Sequence, residues 1–465
     1  MAHPYRIWHP FTQMASFDAE PKLVVERAEG NRLIDHDGRE YIDAVASLWS
    51  VLHGHGHPQI VGAIQAQAAK LQHSTLLGIS HPSAITFAES LIHHLPQGLS
   101  RVYYSSDGAS AVEVALKMAI QYWSNRGHPE RKRIVALDMA YHGDTLGANS
   151  LGGPGPFRDP YEPLLFEPLR TPNGYRYRCQ WCADGPACDS SCVNALRDLL
   201  ETRSTEIAAV IVEPRVQGAA GMIVAPEGNI SAIRQLCSEH DVLLIADEVA
   251  TGFGRTGEMF ACDLEGVVPD IMTLGKGITG GYLPLSATVT TERVYDAFYD
   301  LADRTKTLFH GHTFAGNPIC CAAALANIDI ILRERLWENA QRVGDYLLQG
   351  LQSLDFPHRG QVRGKGLMIA MELIDEDGSL LDVERTLSAR REHLALCQSA
   401  MEDLLARYPS SITPPPFDQM LLDAREQSVS LGAISGLKSM READIAVEGE
   451  RREVSVRFDV ADIFE

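Results

Sequence analysis

The most constraining feature of the sequence is a series of short, fully apolar segments that alternate with helix-like segments. Four of these segments are rich in branched or long aliphatic residues: 133–137, 207–212, 242–246 and 271–274. Continuous apolar strands separated by helices are typical of a mostly parallel sheet that helices cover on both faces. The pattern therefore predicts the α/β fold class.

The length and the order of the remaining segments predict two domains, because 465 residues are too many for one simple core. Residues 33–42 read as two short strands around an Asp-Gly turn. From about Pro318 the chain reads as long helices followed by a strand at 366–373. The predicted division is an N-terminal segment of a small α+β domain, a large α/β domain and the C-terminal remainder of the small domain: 1–54, 55–325 and 326–465.

Composition and charge exclude some classes of partner. The chain has 41 basic and 61 acidic residues, a formal net charge of −20, whereas a nucleic-acid or anionic-membrane surface needs a basic patch. No apolar stretch is long enough for a membrane span, and the N-terminal segment lacks the apolar part of a secretion signal. Nine cysteines in a chain of this length fit reduced thiols better than a disulfide framework. We therefore expect a cytoplasmic protein that binds neither nucleic acid nor membrane.

Two chemically reactive residues follow predicted strands at their carboxyl ends, where parallel sheets bind ligands. Asp247 comes directly after the strand at 242–246, and Lys276 lies between two glycines after the strand at 271–274. A carboxylate can keep a pyridine nitrogen protonated, and a desolvated lysine can form a Schiff base with an aldehyde. The alternatives are a helix cap for Asp247 and a solvated loop lysine for Lys276. Together the two residues favour a site for an aldehyde cofactor with a pyridine ring.

Two further segments would complete such a site. The small residues Ser105-Ser106-Asp107-Gly108-Ala109-Ser110 precede a predicted buried helix at 111–123. Backbone N–H groups and the helix dipole at this position would suit a phosphate. Tyr141, which lies after the strand at 133–137, could stack on the cofactor ring. The alternatives are an ordinary loop of small residues and a core tyrosine.

These residues and their spacing resemble class III aminotransferases. The resemblance extends over residues 5–375 and rests on five segments: Asp107-Gly108-Ala109, Tyr141-His142-Gly143, Val212-Glu213-Pro214, the run from Asp247 to Gly257, and Gly275-Lys276. It implies the type I fold of pyridoxal-phosphate enzymes, with pyridoxal 5'-phosphate as the cofactor. It also implies a homodimer with shared active sites, acting on a small-molecule amino donor and a keto acceptor.

Within the family, the branch that serves biotin synthesis fits best. The similarity lies in Trp8-His9-Pro10-Phe11-Thr12, in Trp49 with the segment His53–Pro58, and in the segment His310–Pro318. It implies conversion of 8-amino-7-oxononanoate to 7,8-diaminononanoate with adenosylmethionine as the usual donor. Phe11 and Leu48 stand where users of adenosylmethionine tend to have a tyrosine and a second tryptophan, so lysine remains a competing donor. Competing hypotheses for the function are a family member that acts on an ω-amino acid or diamine, and a non-catalytic binding relative.

The resemblance implies a role for each residue of the site. Lys276 would hold the cofactor and move the substrate's α-proton, Asp247 would bind the protonated ring nitrogen, and Val249 would pack on the ring. The other predicted cofactor contacts are Gly108, Ala109, Tyr141 and His142, with His312 and Thr313 reaching the cofactor phosphate of the neighbouring subunit. The predicted substrate contacts are Phe11, Trp49, Tyr141 and Gly311.

The chain departs from the family pattern in its last segment. The biotin-synthesis branch usually has an arginine in a Gly-Leu-Leu-x-Arg-Pro stretch, and that arginine binds the carboxylate of the keto acid. Residues 381–465 lack this stretch and contain arginines in other contexts, among them Arg385, Arg390, Arg391 and Arg407. The sequence therefore leaves open which residue would bind the carboxylate of the keto acid.

Four cysteines with close spacing form a second unusual feature: Cys179, Cys182, Cys188 and Cys192. Four thiols could hold zinc tetrahedrally, although the gap between the two pairs is short for common zinc folds. The alternative is a loop of reduced thiols. The predicted catalytic chemistry needs no metal.

Overall fold

The computed structural model describes residues 6–19, 22–179, 191–353, 359–375 and 378–380. The segment 381–465, with the four arginines named above, lies outside the described residues, as do Cys182 and Cys188. Within the described residues, no helix is both long and apolar enough to cross a membrane.

The described chain contains short strands and helices in alternation. The strands are β1 (Val25–Glu29), β2 (Arg32–Asp35), β3 (Glu40–Ile42), β4 (Leu99–Ser105), β5 (Arg133–Leu137), β6 (Leu169–Thr171), β7 (Ile207–Val212), β8 (Val216–Gln217), β9 (Ile223–Val224), β10 (Leu243–Asp247), β11 (Ile271–Leu274), β12 (Ser286–Thr291), β13 (Arg359–Lys365) and β14 (Met368–Leu373). The helices are α1 (Met14–Ala19), α2 (Ala46–Trp49), α3 (Pro58–Lys70), α4 (Pro82–His94), α5 (Gly108–Asn125), α6 (Leu146–Leu151), α7 (Ser191–Arg203), α8 (Asn229–Glu239), α9 (Glu292–Asp296), α10 (Pro318–Glu334) and α11 (Leu336–Ser353).

The centre of the fold is a seven-stranded sheet with the order β4-β12-β11-β10-β7-β5-β6. Neighbouring strands from β11 to β6 run parallel, whereas β12 is antiparallel to both β4 and β11. The four apolar segments of the sequence form β5, β7, β10 and β11. The predicted α/β class with a mostly parallel sheet is therefore confirmed.

Helices cover both faces of this sheet, which explains why its central strands are apolar throughout. Along β7, Ala209 and Ile211 pack on the side of α5, whereas Val210 and Val212 pack on the side of α7 and α8. Every residue of β7 is buried, since successive side chains point to opposite faces and each face has its own core. Each buried aliphatic side chain of this kind contributes about 1.5–3 kcal/mol to stability.

Three smaller sheets accompany the central one in the described residues: β1-β2-β3, β13-β14 and the short pair β8-β9. The predicted strands around the Asp-Gly turn form β2 and β3, and β1 adds to them as an antiparallel edge. The strand expected at 366–373 begins only at Met368, because Gly366 (φ +56°) and Leu367 form its hairpin turn with β13. The division into two domains remains a prediction, and its second boundary falls inside α10.

Candidate active site

The two reactive residues of the sequence lie side by side at one edge of the sheet. Asp247 is the last residue of β10, and Lys276 follows β11 by one glycine. These strands are parallel neighbours in which Asp247 pairs with Thr273. The carboxyl ends of parallel strands meet at one edge, so residues 29 positions apart share one site.

Asp247 is a buried carboxylate with three hydrogen-bond donors. Its Oδ1 accepts from the Val249 backbone N–H at 3.1 Å and from the Thr273 hydroxyl at 3.0 Å. Its Oδ2 lies 2.6 Å from Nδ1 of His142, which is also buried. Among the described residues, no lysine or arginine forms an ion pair with Asp247. A buried anion without such a partner suits a ligand that brings its own protonated nitrogen.

Lys276 is placed so that its amine is easily deprotonated. Burial lowers the pKa of Lys276 below its ordinary value, although the nearby carboxylates of Asp247 and Glu213 oppose this effect. Its Nζ lies 5.4 Å from the centre of the Trp49 ring. The backbone of Lys276 has φ +41°, a conformation that a non-glycine residue adopts only when its surroundings enforce it.

The space between the two residues forms a narrow cradle. A Cβ on Gly108 would lie 2.5 Å from Cγ1 of Val249, and a Cβ on Gly275 would lie 3.2 Å from the same atom. Glycine at both positions therefore lets two backbone segments approach Val249 closely. Gly143 has a similar restriction, because its Cβ would lie 2.4 Å from Cβ of Ala109.

Helix α5 begins at the edge of this cradle. The predicted helix at 111–123 extends in both directions and starts at Gly108, because Asp107 caps its N-terminus. The Asp107 carboxylate accepts hydrogen bonds from the backbone N–H (2.9 Å) and the hydroxyl (2.8 Å) of Ser110. This cap leaves the N–H groups of Gly108 and Ala109 at the positive end of the helix dipole, an arrangement that suits a phosphate.

Glu213 is part of the site, although its position in the sequence was given no role above. It follows β7, the other parallel neighbour of β10, and its carboxylate accepts from the backbone N–H groups of Tyr141 (3.1 Å) and Gly218 (2.9 Å). Burial raises the pKa of Glu213 to about 7. The criterion that selected Asp247, an acidic residue directly after an apolar strand, would have selected Glu213 as well.

Tyr141 is held at both ends. Its backbone N–H binds Glu213, and its hydroxyl donates to the Asp144 carboxylate at 2.7 Å. Burial, with the hydrogen bond to Asp144 as the next cause, raises the pKa of the Tyr141 hydroxyl above its ordinary value. The hydroxyl is therefore a neutral hydrogen-bonding group throughout the physiological pH range.

Arg255 is a second site residue for which the sequence predicted no role. Its Nη2 donates to the backbone carbonyl of Trp49 at 2.7 Å. Burial lowers the pKa of Arg255 to about 10, and no carboxylate forms an ion pair with it among the described residues. Arg255 lies within the segment Asp247–Gly257 that resembles class III aminotransferases. Its position in that segment was the sequence signal that could have predicted a role in the site.

A left-handed turn presents Trp49 to the site. All four residues of α2 have positive φ, and the Ser50 N–H donates to the Ala46 carbonyl at 2.9 Å. The turn brings the Trp49 ring onto the backbone of Gly218, where a Cβ would lie only 3.1 Å from the indole. Such strained backbone persists only where its surroundings hold it, and here Arg255 binds the carbonyl of Trp49.

The remaining predicted residues lie farther out. The Phe11 ring is 5.4 Å from the Phe157 ring, which in turn lies 5.9 Å from the ring of Tyr141. The other three predicted contacts are exposed and lie on the loop that precedes α10: Gly311, His312 and Thr313. In the described part of the chain, no hydrogen bond or ring contact joins them to Lys276 or Asp247. Their roles remain predictions.

Two of the four cysteines of this segment, Cys179 and Cys192, lie within the described residues. Cys179 is a half-buried free thiol, and Cys192 is buried. In the part of the chain that the structure describes, no group of three histidine, cysteine, aspartate or glutamate residues could hold a metal ion.

The family model of the class III aminotransferases matches residues 14–406. The chain belongs to this family, whose members use pyridoxal 5'-phosphate. It is 44% identical to adenosylmethionine-8-amino-7-oxononanoate aminotransferase of Geobacter sulfurreducens over 91% of this chain and 95% of that protein. It is 48% identical to the protein of the same name from Anoxybacillus flavithermus over 79% of this chain and 81% of the relative.

Solved structures confirm the type I fold. The adenosylmethionine-8-amino-7-oxononanoate aminotransferase of Methanocaldococcus jannaschii superimposes with a TM-score of 0.78 at 39% identity and covers 91% of this chain and 96% of its own. An amine transaminase from an uncultivated Pseudomonas species, solved with pyridoxal phosphate bound, has a TM-score of 0.80 at 37% identity. The match covers 91% of this chain and 98% of the transaminase.

The geometry of the site fits pyridoxal 5'-phosphate. The backbone approaches Val249 closely at Gly108 and Gly275, Asp247 is a buried anion that no lysine or arginine pairs with among the described residues, and Lys276 supplies an amine. The ring nitrogen would therefore face Asp247, and the phosphate would face the start of α5. Nε2 of His142 is buried without a hydrogen-bond partner among the described residues, as expected for a group that faces a ligand.

Proposed function

We propose that this protein transfers an amino group to 8-amino-7-oxononanoate and forms 7,8-diaminononanoate for biotin synthesis, in the cytoplasm. One observation carries this proposal. Seven relatives that are 42–48% identical to the chain, over 79–91% of its length, share the name adenosylmethionine-8-amino-7-oxononanoate aminotransferase. The candidate site supports the chemistry, because it combines a deprotonatable lysine with a buried carboxylate.

Each residue of the site has a distinct role in the proposed reaction. When bound, pyridoxal phosphate supplies an electron sink for the carbon that loses its proton. Asp247 would keep the proton on the ring nitrogen, and Val249 would support one face of the ring. Lys276, with its lowered pKa, would accept the substrate's α-proton on Nζ and deliver it to the cofactor carbon bonded to the substrate nitrogen. Tyr141 and Trp49 shape the space above Lys276 and exclude water from it.

We propose that Arg255 binds the carboxylate of the keto acid. Within the described part of the chain, the buried Arg255 guanidinium donates only to a backbone carbonyl, so it is well suited to an anionic substrate group. We expect Arg255→Met to lower kcat/KM for 8-amino-7-oxononanoate by roughly 10- to 100-fold, because a hydrogen bond to a charged group contributes about 1.5–3 kcal/mol. Steady-state kinetics at saturating donor would measure this loss.

A substrate without a carboxylate is the control for Arg255. The half-reaction in which 1-phenylethylamine gives its amino group to the bound cofactor should change in rate by less than about threefold in Arg255→Met, since this amine offers no anion to the guanidinium. Equal losses with both substrates would show that Arg255 only holds Trp49 in place. Arg255→Lys should recover part of the activity toward the keto acid, because it keeps the charge but not the planar geometry.

We propose that the enzyme is a homodimer whose partner loops complete the cofactor site. The loop with His312 and Thr313 is exposed in the single chain, and large apolar side chains beside it are exposed too: Leu77 (88%), Phe309 (81%) and Phe314 (63%). Exposed apolar groups of this size on one face are typical of a protein interface.

Dimerisation and cofactor retention should then be linked. We expect progressive dilution to release cofactor over the same concentration range in which the protein dissociates. Sedimentation velocity with detection at the cofactor's absorbance maximum would follow both events together. Thr313→Ala should weaken cofactor binding while leaving the subunit affinity of the cofactor-free protein unchanged. A stable monomer that retains cofactor would contradict the proposal.

The amino donor requires its own experiment. Purified enzyme should be given 8-amino-7-oxononanoate with adenosylmethionine, with lysine, or with both, and formation of 7,8-diaminononanoate measured by mass spectrometry. The names of the relatives favour adenosylmethionine. Phe11 and Leu48 favour lysine, because they remove a hydroxyl and an indole that an adenosyl sulfonium could use. Exclusive use of one donor would exclude the other.

An ω-transaminase is the second candidate function. Two solved structures favour it: an (S)-enantioselective ω-transaminase from Thermomicrobium roseum and the Pseudomonas amine transaminase, each 37% identical to this chain. Turnover of simple amines, with no 7,8-diaminononanoate formed from either donor, would favour this candidate over the first.

A further inference from the structure

A buried asparagine holds the turn that carries Lys276. Asn327 lies within α10 and has no exposed surface. Its Nδ2 donates to the backbone carbonyls of Gly277 (2.9 Å) and Ile278 (3.0 Å). Both carbonyls belong to the single 3-10 turn Lys276–Thr279. The side chain therefore grips the backbone directly behind the lysine.

The two carbonyls also determine how the amide is oriented. Because Nδ2 donates to both of them, Oδ1 must point away and accept a hydrogen bond. Its partner is Nε2 of His53 at 2.6 Å. The His53 ring must then donate from Nε2, and burial lowers the pKa of His53 below its ordinary value, which favours this neutral ring. The segment that follows Trp49 is thereby connected to the Lys276 turn.

Close packing leaves the turn little freedom. Gly280 has φ +64°, and a Cβ there would lie 2.7 Å from Oδ1 of Asn327. On the other side, a Cβ on Gly277 would lie 3.2 Å from Leu52 and 3.3 Å from Phe253. The turn is thus enclosed on two sides at the point where Lys276 takes its left-handed backbone conformation.

The surroundings of Asn327 do not themselves call for a polar side chain. Its neighbours on α10 belong to an apolar core, including Ala324, Ile328 and Ile331. An apolar residue would satisfy that core, whereas a buried amide is tolerated only when its hydrogen bonds are complete. In Asn327 each of these bonds goes to the Lys276 turn or to His53.

We propose that Asn327, oriented by His53, is a positioning residue that holds the backbone after Lys276 and so directs the lysine amine. The inference rests on the proposed role of Lys276 but names no substrate. It explains how a lysine in a strained conformation, held by a short turn, keeps one direction while it moves a proton.

The variant Asn327→Leu tests this role in the full-length holoenzyme. Leucine has the same number of side-chain heavy atoms and the same branching at Cγ, but it cannot bind the two carbonyls. We expect backbone hydrogen exchange in the peptide 276–280 to speed up roughly tenfold or more, because the turn loses its support. The pH midpoint of the bound cofactor's visible absorbance should move upward by roughly half a unit or more, since the lysine nitrogen becomes better solvated. The value of kcat should fall by roughly 10²-fold with KM nearly unchanged, as expected for a displaced catalytic group.

Two further substitutions separate positioning from simple loss of stability. Ile328→Ala removes core packing from the next residue of α10 and should lower the melting temperature without changing the exchange at 276–280 or the absorbance midpoint. His53→Gln keeps a donor near the position of Nε2 and should resemble wild type, whereas His53→Leu should show part of the Asn327→Leu effect.

Several results would overturn the inference. One such result is an Asn327→Leu variant with wild-type hydrogen exchange at 276–280, wild-type absorbance midpoint and wild-type kcat. Another is an Ile328→Ala variant that shows the changes expected for Asn327→Leu. If Asn327→Leu does not fold, equal behaviour of His53→Gln and His53→Leu is the contradicting result. Failure of wild type to use 8-amino-7-oxononanoate would refute the proposed substrate alone, because hydrogen exchange and absorbance need no substrate.

Discussion

Lys276→Ala should abolish turnover while the protein stays folded. The substitution removes the amine that would hold the cofactor and the group that would move the α-proton, so we expect kcat to fall by more than about 10⁴-fold. Borohydride treatment followed by mass spectrometry should attach cofactor to the peptide with Lys276 in wild type and attach none in the variant. The residual kcat of Lys276→Ala would be measured by following product formation over hours.

The control for Lys276→Ala is a lysine outside the active-site cradle. Lys117 lies on α5 and contacts Nδ1 of His310 at 3.0 Å, so it belongs to the same part of the fold but not to the cradle. Lys117→Ala should retain cofactor attachment and most of the activity. A near-normal rate in Lys276→Ala, or reductive attachment at another lysine, would show that the site has been assigned wrongly.

Asp247→Asn should slow the chemistry strongly and cofactor binding only modestly. Asparagine keeps the shape and can still accept from Val249 and Thr273 through Oδ1. It removes the negative charge that would keep the ring nitrogen protonated, and its Nδ2 faces Nδ1 of His142, which must give up its proton. We expect the single-turnover rate of α-proton removal to fall on the order of 10²- to 10³-fold.

The neighbour of Asp247 provides a matched control. Thr273→Val removes one hydrogen bond from the carboxylate but leaves its charge, so we expect a rate within about tenfold of wild type. Single-turnover kinetics with a deuterated amine would separate proton removal from other steps in both variants. Wild-type kinetics in Asp247→Asn would indicate that this carboxylate only caps the following turn.

Much of the fold could be predicted because its main signal is local. The segments at 207–212 and 271–274 are buried at every position, which is typical of a strand covered on both faces. The first and last residues of individual helices and strands were harder to predict. Helix α5 begins three residues before the predicted start, because the cap of Asp107 is a matter of side-chain geometry that apolar periodicity does not report.

One ion pair that the spacing of two residues on α5 suggests is not formed in the folded chain. Glu113 and Lys117 have the i,i+4 spacing that often gives an ion pair along a helix. In the folded chain Glu113 accepts instead from the Thr145 hydroxyl and the Gly147 N–H, both at 2.6 Å. Lys117 turns toward His310. Tertiary partners on both sides of α5 outcompeted a weak local pair, which contributes only about 0.2–0.5 kcal/mol.

The sequence by itself determined the α/β class and the family, and it singled out Lys276 and Asp247 as candidates for the chemistry, since each of these signals lies in residues close together in the chain. Only the tertiary structure decided which side chains meet across the site. His142 and Asp247 are 105 residues apart, Arg255 and Trp49 are 206 apart, and Asn327 and His53 are 274 apart. Such pairs form only when distant elements pack together, and the direction of a buried side chain depends on neighbours that no local pattern specifies.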